Sequence, residues 1–139
     1  MTQWAQSLIR ISNYEVETLQ KRLTEIGERK SAAEMRILML DAEREAETEN
    51  ARGDVSAASL LRAYLGGWEQ RRDQAVSTVR VIGIEEEGAR DALMSAFEEL
   101  KKFEHVAEVT RLSRVAAMNK RESAQMDEQA IRRAAVGGR

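Results

Sequence analysis

Apolar residues recur in a seven-residue pattern along two stretches of this chain, and that spacing leaves few folds open. In the first stretch Ile9, Val16, Leu23 and Ile37 hold one set of positions, while Leu19, Ile26, Ala33 and Leu40 stand three residues further on. Eight of the twelve a and d positions between Ile9 and Glu47 are apolar. This is a coiled-coil seam, and its mean spacing of about 3.5 residues predicts a left-handed supercoil. Lys30 at an a position and Ser12 at a d position interrupt it. Such polar interruptions commonly fix register at some cost in stability.

The pattern fails across "NARGDVSA", residues 50 to 57, where Asn50 and the Gly53-Asp54 pair supply turn chemistry and Asp54 or Ser56 can cap a following helix. A second seam then runs in 4,3 alternation from Leu61 to Ala107, through Leu65, Trp68, Ala75, Val79, Ile82, Ala89, Leu93, Ala96, Leu100 and Phe103. Twelve of its fourteen positions are apolar, with Arg72 and Glu86 the polar ones. "VSTVRVIGI" inside it resembles a strand by propensity, but the unbroken register favours helix. The complete absence of proline agrees, since an interior proline costs a helix about 3 kcal/mol.

The expected fold is all-α: a long two-helix antiparallel coiled-coil hairpin with unequal helices, forming a single domain over 1–139. The first helix is expected over about 5–49 and the second over about 66–135, with a frayed tail at 136–139. Gly66-Gly67 weakens the helix by about 1 kcal/mol per glycine relative to Ala, which leaves room for a short extra helix within the tip at 50–65. At 1.5 Å per residue the two helices are roughly 68 and 120 Å long. Folding about residue 55 therefore leaves everything beyond about residue 108 without a partner in the hairpin. The seam weakens at that same place: from 110 to 131, Thr110, Arg114, Arg121 and Glu128 are polar, and only Ala117, Ala124 and Ile131 are apolar.

Charge is divided along the chain. Residues 111–139 hold seven Arg and Lys against three Asp and Glu, a surplus of +4, so the overall -2 leaves -6 on residues 1–110. The near-neutral total gives no general attraction to nucleic acid or membrane, and no nucleic-acid partner is expected. Without cysteine there is neither a disulfide nor a thiolate metal site, which suits a reducing compartment. "MTQWAQSLIR" lacks the apolar core of a signal peptide, and no stretch approaches the roughly 18 apolar residues of a membrane span, so a soluble, cytoplasmic chain is expected.

No enzyme site, cofactor or metal is expected. The single histidine, His105, lies near glutamates in "AFEELKKFEHVAE", yet it falls at an f position facing water and has no second histidine to form a ligand pair. "EREAETE" and "EEE" read as solvated helix faces, and no Walker loop, GxSxG or dinucleotide fingerprint occurs. Surfaces are more informative. Met35, Leu38 and Met39 fall at f, b and c positions, and Ala42 and Ala46 continue their stripe; exposed apolar clusters of this kind mark partner sites. The competing reading is that the short helix at 56–65 folds back and covers them. Leu61, Tyr64, Leu65 and Trp68 oppose the polar seam residues Arg44 and Glu47, so they too are expected to be only partly buried, extending an adhesive tip.

"SLIRISNYEVETLQKRL", "AYLGGWEQRRD", "AFEELKKFE" and "QMDEQAIRRAA", with its Met126-Asp127-Glu128 group, together resemble the flagellar export protein FliJ family across most of the chain. The resemblance implies a non-enzymatic antiparallel coiled coil similar to the central stalk of rotary ATPases. It implies an end carrying both termini that inserts into the hexameric export ATPase, favouring its assembly and activity. It further implies contact with the export gate protein FlhA and with export chaperones, at the cytoplasmic face of the inner-membrane export apparatus and bound to the membrane only through those partners. By position, Met35, Met39, Ala42 and Ala46 match the first part of the family's interaction patch. Arg111, Arg114, Lys120, Arg121, Arg132 and Arg133 are the candidates for contact with the ATPase ring, by long-range attraction and hydrogen bonds to carboxylates. The equivalent stalk of a virulence secretion system, or a generic coiled-coil scaffold or chaperone, is the alternative.

Overall fold

A computed structural model describes residues 2–137. It contains two helices, α1 (Thr2–Asn50) and α2 (Val55–Gly137), and no strand among the described residues. The β-branched run 76–84 is helical throughout. Its side chains at seam positions pack on α1, and that packing overrides a local strand propensity worth at most about 1 kcal/mol.

The turn at 51–54 is built from local hydrogen bonds. The Ala51 N–H donates to the Glu47 carbonyl at 3.1 Å, Arg52 N–H to Glu49 at 3.2 Å, and Asp54 N–H to Ala51 at 3.3 Å. Gly53 takes the left-handed conformation, φ 83°, which a side chain would oppose. Asp54 then caps α2: its Oδ1 accepts from the Ser56 N–H at 3.0 Å and from the Ser56 hydroxyl at 2.7 Å. These donors hold the Asp54 carboxyl below its ordinary pKa, the hydroxyl contributing most.

Two sequence-based expectations are corrected at this end. The short extra helix is not a separate element, because α2 runs without a break from Val55 through Gly66-Gly67. Two glycines cost a helix about 2 kcal/mol, but no turn-forming residue follows them and the turns on either side are anchored by half-buried Leu61, Tyr64 and Leu65 and by buried Trp68. Val136 and Gly137, expected in the frayed tail at 136–139, belong to α2 instead; Gly138 and Arg139 lie outside the described residues.

Contacts group the chain into two compact units. One is Glu15–Ser95, and the other joins α1 up to Tyr14 with α2 from Ala96 onward. The first is an antiparallel helical hairpin. Ile26, Ile82 and Ala89 form its central cluster, with Leu23 and Ala33 packed against it, while Val16, Leu40 and Trp68 are buried elsewhere along the seam. The two polar interruptions of the opposing seams meet: Lys30 Nζ lies 3.2 Å from Glu86 Oε1, and Arg29 adds a pair of hydrogen bonds to Glu85 at 3.0 and 3.2 Å. In the second unit Ala5, Ser12, Ala96 and Leu100 are buried.

Candidate interaction surfaces

On α1 the spacing of the core residues decides what is left outside. Ile26, Ala33, Ile37 and Leu40 turn toward α2, so Met35, Leu38 and Met39 project from the other side and are 55%, 62% and 58% exposed. Ala42 and Ala46 are exposed in line with them. No folded-back helix covers the stripe, because residues 56–65 belong to the continuous α2.

Across the tip the expected set divides. Leu61, Tyr64 and Leu65 are half-buried, whereas Trp68, expected to be only partly buried, is 7% exposed and packs in the core. Its indole N–H donates to the Leu40 carbonyl at 2.6 Å, and the Arg44 guanidinium lies over the ring at 4.9 Å. The sequence placed Arg44 opposite Trp68 but read the pair as a polar gap. A guanidinium instead stacks on the indole face and closes it from water. Next to this pair, Arg72 donates to both carboxylate oxygens of Asp41, at 2.8 and 3.4 Å. That contact holds Asp41 below its usual pKa against the opposing effect of burial, and Arg44 adds to it. Arg71 lies over the Tyr64 ring at 5.6 Å and 3.8 Å from Glu43. Burial raises the Tyr64 pKa, the Glu43 carboxylate adds to the rise, and Arg71 opposes it. The Tyr64 hydroxyl is enclosed with no hydrogen-bond partner at bonding distance.

Sequence reasoning missed a further exposed apolar group on α2. Val76, Val81, Ile84 and Met94 are exposed, at positions outside the seam. The signal was present in "VSTVRVIGI", where β-branched residues exceed what the seam at Ala75, Val79 and Ile82 can use.

At the other end, every residue from Arg111 to Gly137 is exposed, so α2 outlasts its cover close to the expected position. The six candidate cations differ in availability. Arg111 donates to both Glu108 oxygens at 3.1 and 2.8 Å, which lowers the Glu108 pKa and raises that of Arg111. Arg132 is 2.9 Å from Glu128. Arg114, Lys120, Arg121 and Arg133 make no ion pair among the described residues. Arg114, Arg121 and Arg132 share the face that carried the seam further up the helix, at the period of about 3.6 residues per turn.

The opposite face of this segment holds a second pattern missed by following the earlier register. Val109, Leu112, Ala116, Met126 and Ala130 fall in 4,3 alternation with Asn119 and Ser123, and all are exposed. The apolar side of α2 thus changes over where its α1 cover ends. Phasing the heptad afresh after Ala107 would have found it.

His105 is exposed, as its f position requires. No group of acidic or histidine side chains able to hold a metal occurs among the described residues. None of the described helices is long and apolar enough to cross a membrane.

The "Flagellar FliJ protein" family model matches residues 5–139. The chain belongs to the flagellar FliJ family. Flagellar FliJ proteins from two strains of Caulobacter vibrioides, NA1000/CB15N and ATCC 19089, are each 59% identical to it over 139 residues, covering all of both chains. No solved structure matches it. Family membership makes the chain a non-catalytic flagellar protein, in agreement with the lack of an active-site pattern in its sequence.

Proposed function

We propose that this flagellar export component acts as a non-enzymatic stalk. The exposed end of α2 engages the hexameric export ATPase, and the tip is presented to the export gate protein FlhA and to export chaperones. The observation that carries this reading is the bare end of α2, where Arg114, Lys120, Arg121 and Arg133 stand on uncovered helix without a counter-ion among the described residues. A single helix bearing arginines is narrow enough to enter a ring and can hydrogen-bond to carboxylates lining it. The family match favours the flagellar apparatus over a virulence secretion system. On this reading the protein works in the cytoplasm, reaches the inner membrane only through its partners and binds no nucleic acid.

The test is hydrolysis by the cognate export ATPase with and without the protein. Stimulation by the wild-type chain should be lost on charge reversal at Arg114, Arg121, Arg132 and Arg133; unchanged stimulation would remove the ring contact. For the tip, Met35→Glu with Met39→Glu should abolish gate binding and leave helicity intact. Gate affinity that survives both changes would assign the stripe another role.

A further inference from the structure

The two bare surfaces of this chain carry opposite charge. On the outward side of α1, the apolar stripe Met35, Met39, Ala42 and Ala46 shares its face with Glu45 and Glu49, both exposed. Neither glutamate is used by α2. Among the described residues Glu49 makes one ion pair, a local, exposed one with Arg52 at 3.5 Å, and Glu45 makes none. Three cations near the tip are engaged elsewhere: Arg44 covers Trp68, Arg71 meets Glu43, and Arg72 meets Asp41, while exposed Arg36 beside Met35 makes no ion pair among the described residues. On the end of α2, Arg114 and Arg121 lie two turns apart on one face, with exposed Ala117 and Met118 beside them. Each surface therefore combines small and methionine side chains with exposed charge that the other helix does not use, negative at Glu45 and Glu49 on α1 and positive at Arg114 and Arg121 on α2.

We infer that the arginine face of α2 docks on the outward face of α1 of a second copy of this chain. Glu45 and Glu49 receive Arg114 and Arg121, and Met118, between the two arginines, lies against Ala46. The division of charge into -6 on residues 1–110 and +4 beyond them orients the encounter tip to tail. Because two different patches meet, the contact is heterologous and can continue to a third copy unless the pair closes reciprocally. The area is that of a single helix face, so the association is weak and sensitive to salt, as charged contacts at small interfaces are. Its consequence is that free chains cover one another's adhesive surfaces until a tighter partner displaces them. This inference needs neither the ATPase nor the gate, and its test contains only the purified chain.

Sedimentation of the full-length protein over a range of concentrations supplies that test. At low salt the weight-average mass should rise from the 15.7 kDa of one chain toward at least twice that value, and it should return to 15.7 kDa at about 1 M salt, where the screening length falls to roughly 3 Å. Glu45→Lys with Glu49→Lys should hold the protein at the mass of one chain, and so should Arg114→Glu with Arg121→Glu. All four positions are exposed, Glu45 and Glu49 outside the α1 seam and Arg114 and Arg121 on the part of α2 that α1 does not cover, so the fold is retained. The decisive step is mixing: the two variants have complementary patches in both pairings, and together they should regain the wild-type mass increase. Association restored by the mixture supports the docking. A wild-type mass of 15.7 kDa at every concentration in low salt would overturn it, as would self-association of either variant alone at the wild-type level.

Discussion

Glu86 lies in the seam of α2 with its side chain 11% exposed, facing Lys30 at 3.2 Å across the hairpin and Arg90 at 3.5 Å one turn along its own helix. Removing one partner of a fully buried pair costs about 3–5 kcal/mol, because the other charge is left without compensation. Two facts reduce that figure: Lys30 is 33% exposed, and Arg90, 62% exposed, still reaches Glu86. Lys30→Met should therefore destabilise by about 1–2 kcal/mol. Glu86→Leu should cost less, near zero, because the long Lys30 stem can carry its ammonium to water while leucine adds apolar area to the seam. The double variant Lys30→Met with Glu86→Leu completes an apolar seam and should match or exceed the wild type by about 1 kcal/mol. Urea and thermal unfolding followed by circular dichroism gives the three values and the coupling between the sites. At this chain length 1 kcal/mol corresponds to about 4 °C in Tm. A double variant less stable than either single one, or a Lys30→Met change without cost, would refute the reasoning.

Trp68→Phe keeps most of the ring but removes the indole donor to the Leu40 carbonyl, at a cost of about 1 kcal/mol. Trp68→Ala should cost about 3–5 kcal/mol and unfold the tip first, visible as faster amide exchange around Leu40 and Leu65. The Asp54 carboxyl has a depressed pKa in the folded chain, so its cap contributes above the ordinary aspartate range and is lost as pH falls through the depressed value. Asp54→Ala should thus lower Tm at neutral pH, and the gap from wild type should close in acid; a gap independent of pH would show that the carboxylate is not the cap.

Much of the site was legible because a heptad repeat fixes direction as well as structure. The f, b and c positions of Met35, Leu38 and Met39 sufficed to place them outside, and a long helix paired with a short one had to end uncovered. Trp68 was misjudged because position gives the neighbour and not the interaction. Arg44 opposite an indole reads as a polar gap until the guanidinium is seen stacked on the ring and the indole N–H directed at Leu40.

The sequence by itself determined the helices, the place of the turn, the face each helix turns inward and the point where α2 runs bare. These follow from periodicity, from Gly53-Asp54 and from length, all of which are properties of one segment at a time. Only the tertiary structure decided that Lys30 meets Glu86, that Arg72 takes Asp41, that Trp68 is core and that α2 passes unbroken through Gly66-Gly67. Each of those depends on the register between helices, set by the packing of both seams together. Balances of a few kcal/mol between desolvation, hydrogen bonding and backbone entropy then decide the outcome at each position.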